Sequence, residues 1–274
     1  MSRPRYAVVA AAGRGTRYEG EEPKVLAPIA GRTSLERVTM TLDQALGAHR
    51  QLVVIGYEAE RVRASLGEAP HRQWVYQHDP CGTGHALALA LAEIDEPDAD
   101  VYFVCGDKPL LRASSLAALR AGFEAQGGGQ AFLTGQIEGP PELSRQGRVV
   151  RESGAPVAIV EYKVIQALSA PLQLGRAWTR DELLALRECN VSTYVWRLAM
   201  LRALVPDLAH DPTQAEIMVT DLVQLAAARG WPVTAQPLHD PSEGWGVDTL
   251  EQKALAETVA TQRLAAGEEP WFKM

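Results

Sequence analysis

The pattern of apolar and polar positions divides the chain into short strands alternating with longer helices. Five runs, Tyr6–Ala10, Leu52–Ile55, Val101–Val104, Ala131–Ile137 and Val191–Trp196, have the β-branched, nearly unbroken apolar character of strands buried on both faces. Between and after them, Ser34–Leu46, Ala59–Leu66, Gly84–Ile94, Ser114–Ala125 and Asp221–Ala228 carry apolar residues at helical spacing. A closing helix is expected over Thr249–Ala265, after a turn at Gly244-Trp245-Gly246. Strands that alternate with helices need crossover connections, so the pattern predicts an α/β fold with a largely parallel sheet covered on both faces. The rhythm loosens after Gln136, at Gly139-Pro140-Pro141 and again on the way to Asn190. That later part reads as an addition to the first sheet, and one domain spanning 1–274 is expected. There is no internal repeat, and Gly127-Gly128-Gly129 is a loop.

Composition narrows the class. With 274 residues the chain is long enough to bury a large core, and 46% hydrophobic with 22% charged residues is ordinary for a globular domain. The net charge of −7 argues against a nucleic-acid binder that works by neutralising phosphates. Any phosphate chemistry must rest on a few placed cations. Three cysteines, Cys81, Cys105 and Cys189, are far apart and lack CxxC spacing, which fits a reducing cytosol better than a disulfide frame or a cysteine zinc site. Met1–Tyr6 lacks the layout of a signal peptide, and the longest apolar run, Ala86–Ala92, is too short to span a bilayer. A cytoplasmic protein without membrane or nucleic-acid partners is expected; the sequence says nothing of oligomeric state.

The first strand runs into Ala10-Ala11-Ala12-Gly13-Arg14-Gly15-Thr16-Arg17, with Pro23-Lys24-Val25-Leu26 soon after. Small residues let backbone approach a ligand closely, and successive N–H groups after a strand can cradle an anion. Arg17 and Lys24 add mobile positive charge. No Gly-Lys-Ser/Thr follows, and Tyr18 stands where a dinucleotide fingerprint needs its third glycine, so neither common phosphate motif applies. A glycine-rich turn of this kind can also be no more than a turn.

Taken together, AAGRGTR and PKVL resemble the signature of the sugar-nucleotide pyrophosphorylases, and among them the uridyltransferase domain of bacterial N-acetylglucosamine-1-phosphate uridyltransferase. The resemblance runs, with gaps, from about Tyr6 to the final helix. It implies a Rossmann-like, nucleotide-diphospho-sugar transferase type of fold, with a nucleotide-binding half (1–136), a sugar-binding half (137–248) and a C-terminal helix and tail (249–274). It also implies Mg²⁺ as cofactor, with UTP and a sugar-1-phosphate as partners. Ala10, Ala11, Ala12 and Gly13 would hold the nucleoside, together with Gln77 and the Gly82-Thr83 pair of Gly82-Thr83-Gly84-His85-Ala86. An amide beside a glycine turn suits a base edge, although Thr83 equally suits the N-cap of the helix that follows. His85 reads as structural.

Cys105-Gly106-Asp107 sits at the end of a strand, where α/β sheets bind ligands. By resemblance Asp107 holds Mg²⁺ and the second ligand is Asp248 of Gly246-Val247-Asp248; the family usually carries asparagine there. Capping of the last helix is the rival role for Asp248, and capping of a turn before Pro109 the rival for Asp107. For the sugar, the resemblance points to Gly147, Glu161 and Asn190, with Cys105 and Gly106 beside them. Arg17 would meet the leaving pyrophosphate and Lys24 the phosphates flanking the reaction centre. Departures from the family are Cys105 in place of tyrosine, Val164 in place of an acidic residue, a longer Lys163–Asn190 stretch, and a partly kept run from Gln214 to Asp221. Three of these lie toward the sugar side. The family's bifunctional members continue into hexapeptide repeats for acetyl transfer; no such repeat is present, and acetyl transfer is not expected. Two rival readings remain: a cytidylyl- or guanylyltransferase acting on another phosphorylated acceptor, and a non-catalytic sugar-nucleotide-binding regulator. Nucleotide competition separates the first, and turnover the second.

Overall fold

A computed structural model describes residues 3–208 and 216–268. In chain order the strands are β1 (Arg5–Ala11), β2 (Pro28–Ile29), β3 (Arg32–Thr33), β4 (Arg50–Ile55), β5 (Arg72–Tyr76), β6 (Asp100–Cys105), β7 (Gln130–Gln136), β8 (Arg148–Glu152), β9 (Ala155–Val160), β10 (Leu172–Leu174), β11 (Arg176–Trp178), β12 (Glu188–Arg197) and β13 (Val233–Pro237). The helices are α1 (Ser34–Leu46), α2 (Ala59–Leu66), α3 (Thr83–Leu91), α4 (Ala113–Ala125), α5 (Tyr162–Ala167), α6 (Arg180–Ala185), α7 (Leu198–Leu204), α8 (Asp221–Ala228) and α9 (Leu250–Ala265).

The main sheet runs β13-β7-β12-β6-β1-β4-β5, with β8 and β9 paired off β12. Strands β6, β1, β4 and β5 are mutually parallel, and β13 is parallel to β7. The long β12 enters antiparallel between β6 and β7 and makes the sheet mixed. Side chains along β1 alternate between two cores, as strand geometry requires. Val8 joins Leu52, Phe103, Trp196 and Leu201 beneath α3, α7 and α8. Ala7 and Val9 face Leu35, Leu42, Leu116 and Phe123 of α1 and α4. Such two-sided burial explains why β1, β4 and β6 read as continuous apolar runs.

Local chemistry fixes the helix ends. Thr33 and Glu36 form a capping box at the start of α1, and Gly47, at φ 61°, closes it. In α3 the alternative role for Thr83 is ruled out: Gly82 is the N-cap and Thr83 the first residue, so Thr83 does not cap the helix. The Thr83 hydroxyl instead accepts from Val219 N at 3.1 Å. Helix α9 packs Ala256 and Ala260 against Ala27, Ile29 and Val247, tying the end of the described chain to the loop after β1. The Lys163–Asn190 stretch folds as α5, the β10–β11 hairpin and α6 around a satellite core of Ile165, Leu174, Trp178 and Leu183. Among the described residues, no helix is long and apolar enough to cross a membrane. Gln214 and Ala215 of the partly kept run lie outside the described residues.

Candidate active site

The C-terminal ends of the parallel strands open into a cleft of about 400 Å³. Its floor is Ala10–Gly13 at the end of β1, and one wall is Gln77 with Gly82 and Thr83. Cys105 and Asp107 at the end of β6 form another side, with Arg17, Lys24 and Asp248 at the end of the cleft. A side chain added at Gly13 would meet nothing within 4 Å, so this turn leaves open space for a ligand to approach backbone.

The Gly82 turn is held tightly. Gln77 is buried, and its Nε2 donates to Gly82 O at 3.1 Å and lies 3.1 Å from His85 Nδ1. Gly84 N donates to Ile217 O at 2.8 Å, and Gly82 adopts φ 95° at a place where an added Cβ would lie 2.4 Å from Ile217 O. Gln77 therefore shapes the wall of the cleft as well as facing it, and His85 keeps the structural role expected of it.

The charged end joins distant parts of the chain. Lys24 Nζ lies 2.5 Å from Asp107 Oδ2 and 3.0 Å from Asp248 Oδ1, while Arg17 lies 3.0 Å from Asp248 Oδ2. Burial disfavours the Lys24 ammonium, but Asp107 and then Asp248 outweigh it and raise its pKa. Burial likewise works against the Asp107 carboxylate, and Lys24 and Lys108 outweigh it, so its pKa is lowered. Both groups stay charged at neutral pH. Asp248 does not cap α9: Thr249 does, accepting from Gln252 N at 3.2 Å. Asp107 turns its side chain to Lys24, while its backbone carbonyl accepts from Val247 N at 3.0 Å and draws the Asp248 loop to the end of β6.

This donor set fits a hard divalent cation. Asp107 Oδ1 is buried with no hydrogen-bond partner among the described residues, and a bound ion is one way to satisfy such an atom. Both acidic side chains offer oxygen, as magnesium requires, and Lys24 supplies the positive charge between them.

The expected sugar-side residues Gly147, Glu161 and Asn190 are not among the residues lining this cleft. Asn190 N donates to Gly147 O at 2.9 Å, and a side chain added at Gly147 would come within 3.3 Å of the Glu161 carboxyl, so these residues form one cluster. Asn190 Oδ1 accepts from Tyr194 Oη at 2.7 Å and from Ser192 N at 2.9 Å, which leaves the amide NH₂ to donate outward. A bulge in β12 between Asn190 and Tyr194, with Ser192 at φ 57°, turns Asn190 to this position. Burial pushes the Glu161 carboxyl up from its usual range. Desolvation, and then Asp107, push the Cys105 thiol up to about 12. Gly106 is buried, with its N donating to Ala10 O at 2.9 Å, and allows β1 and β6 to meet closely at the cleft floor.

Sequence reasoning did not single out Arg14, Glu216 and Met218, which also line the cleft, or Lys108, whose Nζ donates to Gly244 O at 2.9 Å beside it. Lys108 directly follows Asp107, and that adjacency was the available signal. Glu216, paired with Lys163, had none.

The fold and this cleft define a nucleotidyltransferase-type α/β domain. A model of the MobA-like NTP transferase domain matches residues 7–191, and the chain belongs to that family. It is 36% identical over 267 residues to the "Bifunctional protein GlmU" of Alkalilimnicola ehrlichii, covering 97% of this chain and 52% of that protein. The GlmU of Heliobacterium modesticaldum is 34% identical over 261 residues, covering 95% of this chain and 53% of that protein. The chain thus spans about half the length of the curated relatives it matches. In three dimensions it resembles a putative glucose-1-phosphate thymidylyltransferase from Bacillus anthracis, with a TM-score of 0.70 and 17% identity over 93% of this chain and 95% of that one. That likeness establishes the nucleotide-diphospho-sugar transferase fold.

Proposed function

We propose that the protein joins UTP to a sugar-1-phosphate, yielding a UDP-sugar and pyrophosphate, with N-acetylglucosamine-1-phosphate as the sugar substrate and the cytosol as its setting. The observation that carries this reading is the Lys24–Asp107–Asp248–Arg17 cluster at the end of a small-residue cleft. The uridine and the sugar rest on the motif resemblance, with Gln77, Gly82 and Thr83 facing the base and Gly147, Glu161 and Asn190 facing the sugar. Residues 1–136 would serve the nucleotide and 137–248 the sugar.

A sugar phosphate has a second pKa near 6 and is largely dianionic at neutral pH, so its oxygen needs no general base. The barrier lies in aligning two polyanions for in-line attack at the α-phosphorus, and catalysis is positioning with charge neutralisation. Lys24, released toward phosphate oxygens, and Arg17, at the mouth, neutralise the reacting and leaving phosphates. Asp107 and Asp248 would hold Mg²⁺, which when bound adds charge neutralisation between the two substrates. Asn190 and Glu161 orient the sugar hydroxyls as donor and acceptor. Cys105, protonated at neutral pH, lines the site without serving as a nucleophile.

The test is pyrophosphate release from UTP and N-acetylglucosamine-1-phosphate with Mg²⁺, against a control lacking sugar and with CTP, GTP and dTTP in parallel. Sugar-dependent release with UTP supports the whole reading. Release with another nucleotide corrects the base. No release with any pair, while nucleotide still binds, would favour a regulatory role.

A further inference from the structure

At the opposite end of the parallel strands from the cleft, three side chains from separate segments converge. Asp43 is in the last turn of α1, His49 is in the connection to β4, and His71 immediately precedes β5. Their donor atoms all lie within 4.8 Å of one another. Asp43 Oδ1 is 3.1 Å from His71 Nε2 and 3.6 Å from His49 Nε2. The two imidazoles meet edge to face, with centroids 5.6 Å apart. We infer that Asp43, His49 and His71 form a second cation site, one that takes a divalent transition ion of the zinc class.

His49 carries the argument. Its side chain is 1% exposed, yet Nε2 has no hydrogen-bond partner among the described residues. Nδ1 lies 2.6 Å from Gly47 O. A carbonyl oxygen can only accept, so Nδ1 carries the proton and the neutral ring presents a bare lone pair at Nε2. That nitrogen lies 3.6 Å from Asp43 Oδ1, too far for a hydrogen bond. The buried imidazole lone pair and the more exposed carboxylate oxygen, which also accepts from Gln51 and lies within hydrogen-bond distance of His71 Nε2, are placed so that one cation could bridge them.

The surroundings match those of metal-bound histidine and carboxylate. A ligating imidazole normally donates its other N–H to a backbone carbonyl, and a ligating carboxylate is itself held by a hydrogen bond. His49 does the first through Gly47, whose positive φ folds the chain back over the end of α1. Asp43 does the second, accepting from Gln51 Nε2 at 2.8 Å, and Gln51 is fixed in turn by Arg72 Nε at 3.2 Å. Ligand bonds of about 2.1 Å put tetrahedral donors roughly 3.4 Å apart, close to the separations already present. One carboxylate with two imidazoles, near the positive charges of Arg5 and Arg72, does not suit calcium or magnesium, which want several oxygens. It suits zinc, cobalt, nickel or copper. Asp43 and His71 are partly exposed, leaving the remaining coordination position to water.

The test uses the full chain, treated with chelator and held in excess Mg²⁺ to compete for any oxygen-donor site, the cleft included. Titration with Co²⁺, followed by its visible d–d absorption and displaced by Zn²⁺, should give one equivalent bound. His71→Ala, a change at the surface, should weaken that binding at least ~100-fold, as loss of a direct ligand exceeds the 10- to 100-fold typical of outer partners. Asp107→Asn should leave it intact. No Co²⁺ uptake by the parent chain, or uptake unchanged in His71→Ala, would overturn the assignment. The readout is spectral, so it stands apart from the nucleotidyl-transfer reading.

Discussion

Replacing Asp107 by asparagine keeps the shape of the side chain and removes one charge from the centre of the cleft. In the resting protein that carboxylate sits 2.5 Å from Lys24 Nζ and has a second oxygen with no partner. A unit charge about 4 Å from a cationic centre is worth about 4 kcal/mol at an effective dielectric of 20. One preorganised electrostatic group typically contributes about 2.7–4 kcal/mol to a transition state. At about 1.4 kcal/mol per tenfold, Asp107→Asn should lower kcat about 10²- to 10³-fold. The fold should survive. Lys24 keeps Asp248 at 3.0 Å, so the loss of stability should stay below the roughly 3–5 kcal/mol of a stranded buried charge. The assay is pyrophosphate release at saturating substrates, with a urea unfolding curve on the same preparation. A kcat within about threefold of the parent, less than ~1 kcal/mol of barrier, would refute the placement of Asp107 at the reacting phosphates. So would an activity loss that merely tracked the unfolded fraction.

Three further outcomes follow from the geometry. A Cβ at Gly82 would lie 2.4 Å from Ile217 O at a φ of 95°, so Gly82→Ala should cost about 1–3 kcal/mol and raise the nucleotide KM more than it lowers kcat; unchanged KM and urea midpoint would remove the turn from the nucleotide site. Trp196 is fully buried and stacked on Tyr194 at 5.1 Å, and Trp196→Ala should lose about 3–5 kcal/mol, read as a lower urea midpoint; a loss under ~1 kcal/mol would contradict the packing. With Cys81 and Cys189 changed to serine, the pH dependence of alkylation reports on Cys105 alone. Its pKa is raised to about 12, so at any lower pH less thiolate is present than an ordinary cysteine would offer. The rate should climb tenfold per pH unit through pH 10, whereas an ordinary thiol levels off near ~8.5; such levelling would contradict the desolvation.

Legibility from sequence followed burial. Strands β1, β4 and β6 were readable because both faces are covered and the apolar run is unbroken. Edge strand β5 was not: Arg72 and Gln73 give it the polar character that discourages edge pairing. The β8–β9 hairpin hid behind its two-residue turn Ser153-Gly154, both at positive φ, in a region whose strand and helix rhythm is loose. Helix α7, apolar on most sides, lacks the periodicity that marks a surface helix. In the site, single loops could be read as loops, but their convergence could not. Nothing in local spacing says that Lys24 meets Asp107 or Asp248, and that expectation came only through the resemblance. The capping alternative for Thr83 stayed open in the sequence because a threonine before a helix looks the same whether it caps or begins it; Ile217 and Val219, far away in sequence, decide that it begins the helix.

The contacts of Lys24 reach across 83 residues to Asp107 and 224 residues to Asp248. Closing loops of that length is entropically costly and slow, and the last partner arrives only with the turn before α9. A growing chain on the ribosome can therefore complete most of its sheet, including everything the family model matches, while one of its two carboxylates has yet to be made. On the proposed function, competence to handle phosphates would be a late event in the life of each molecule, since Asp248 is made long after Lys24 and Asp107.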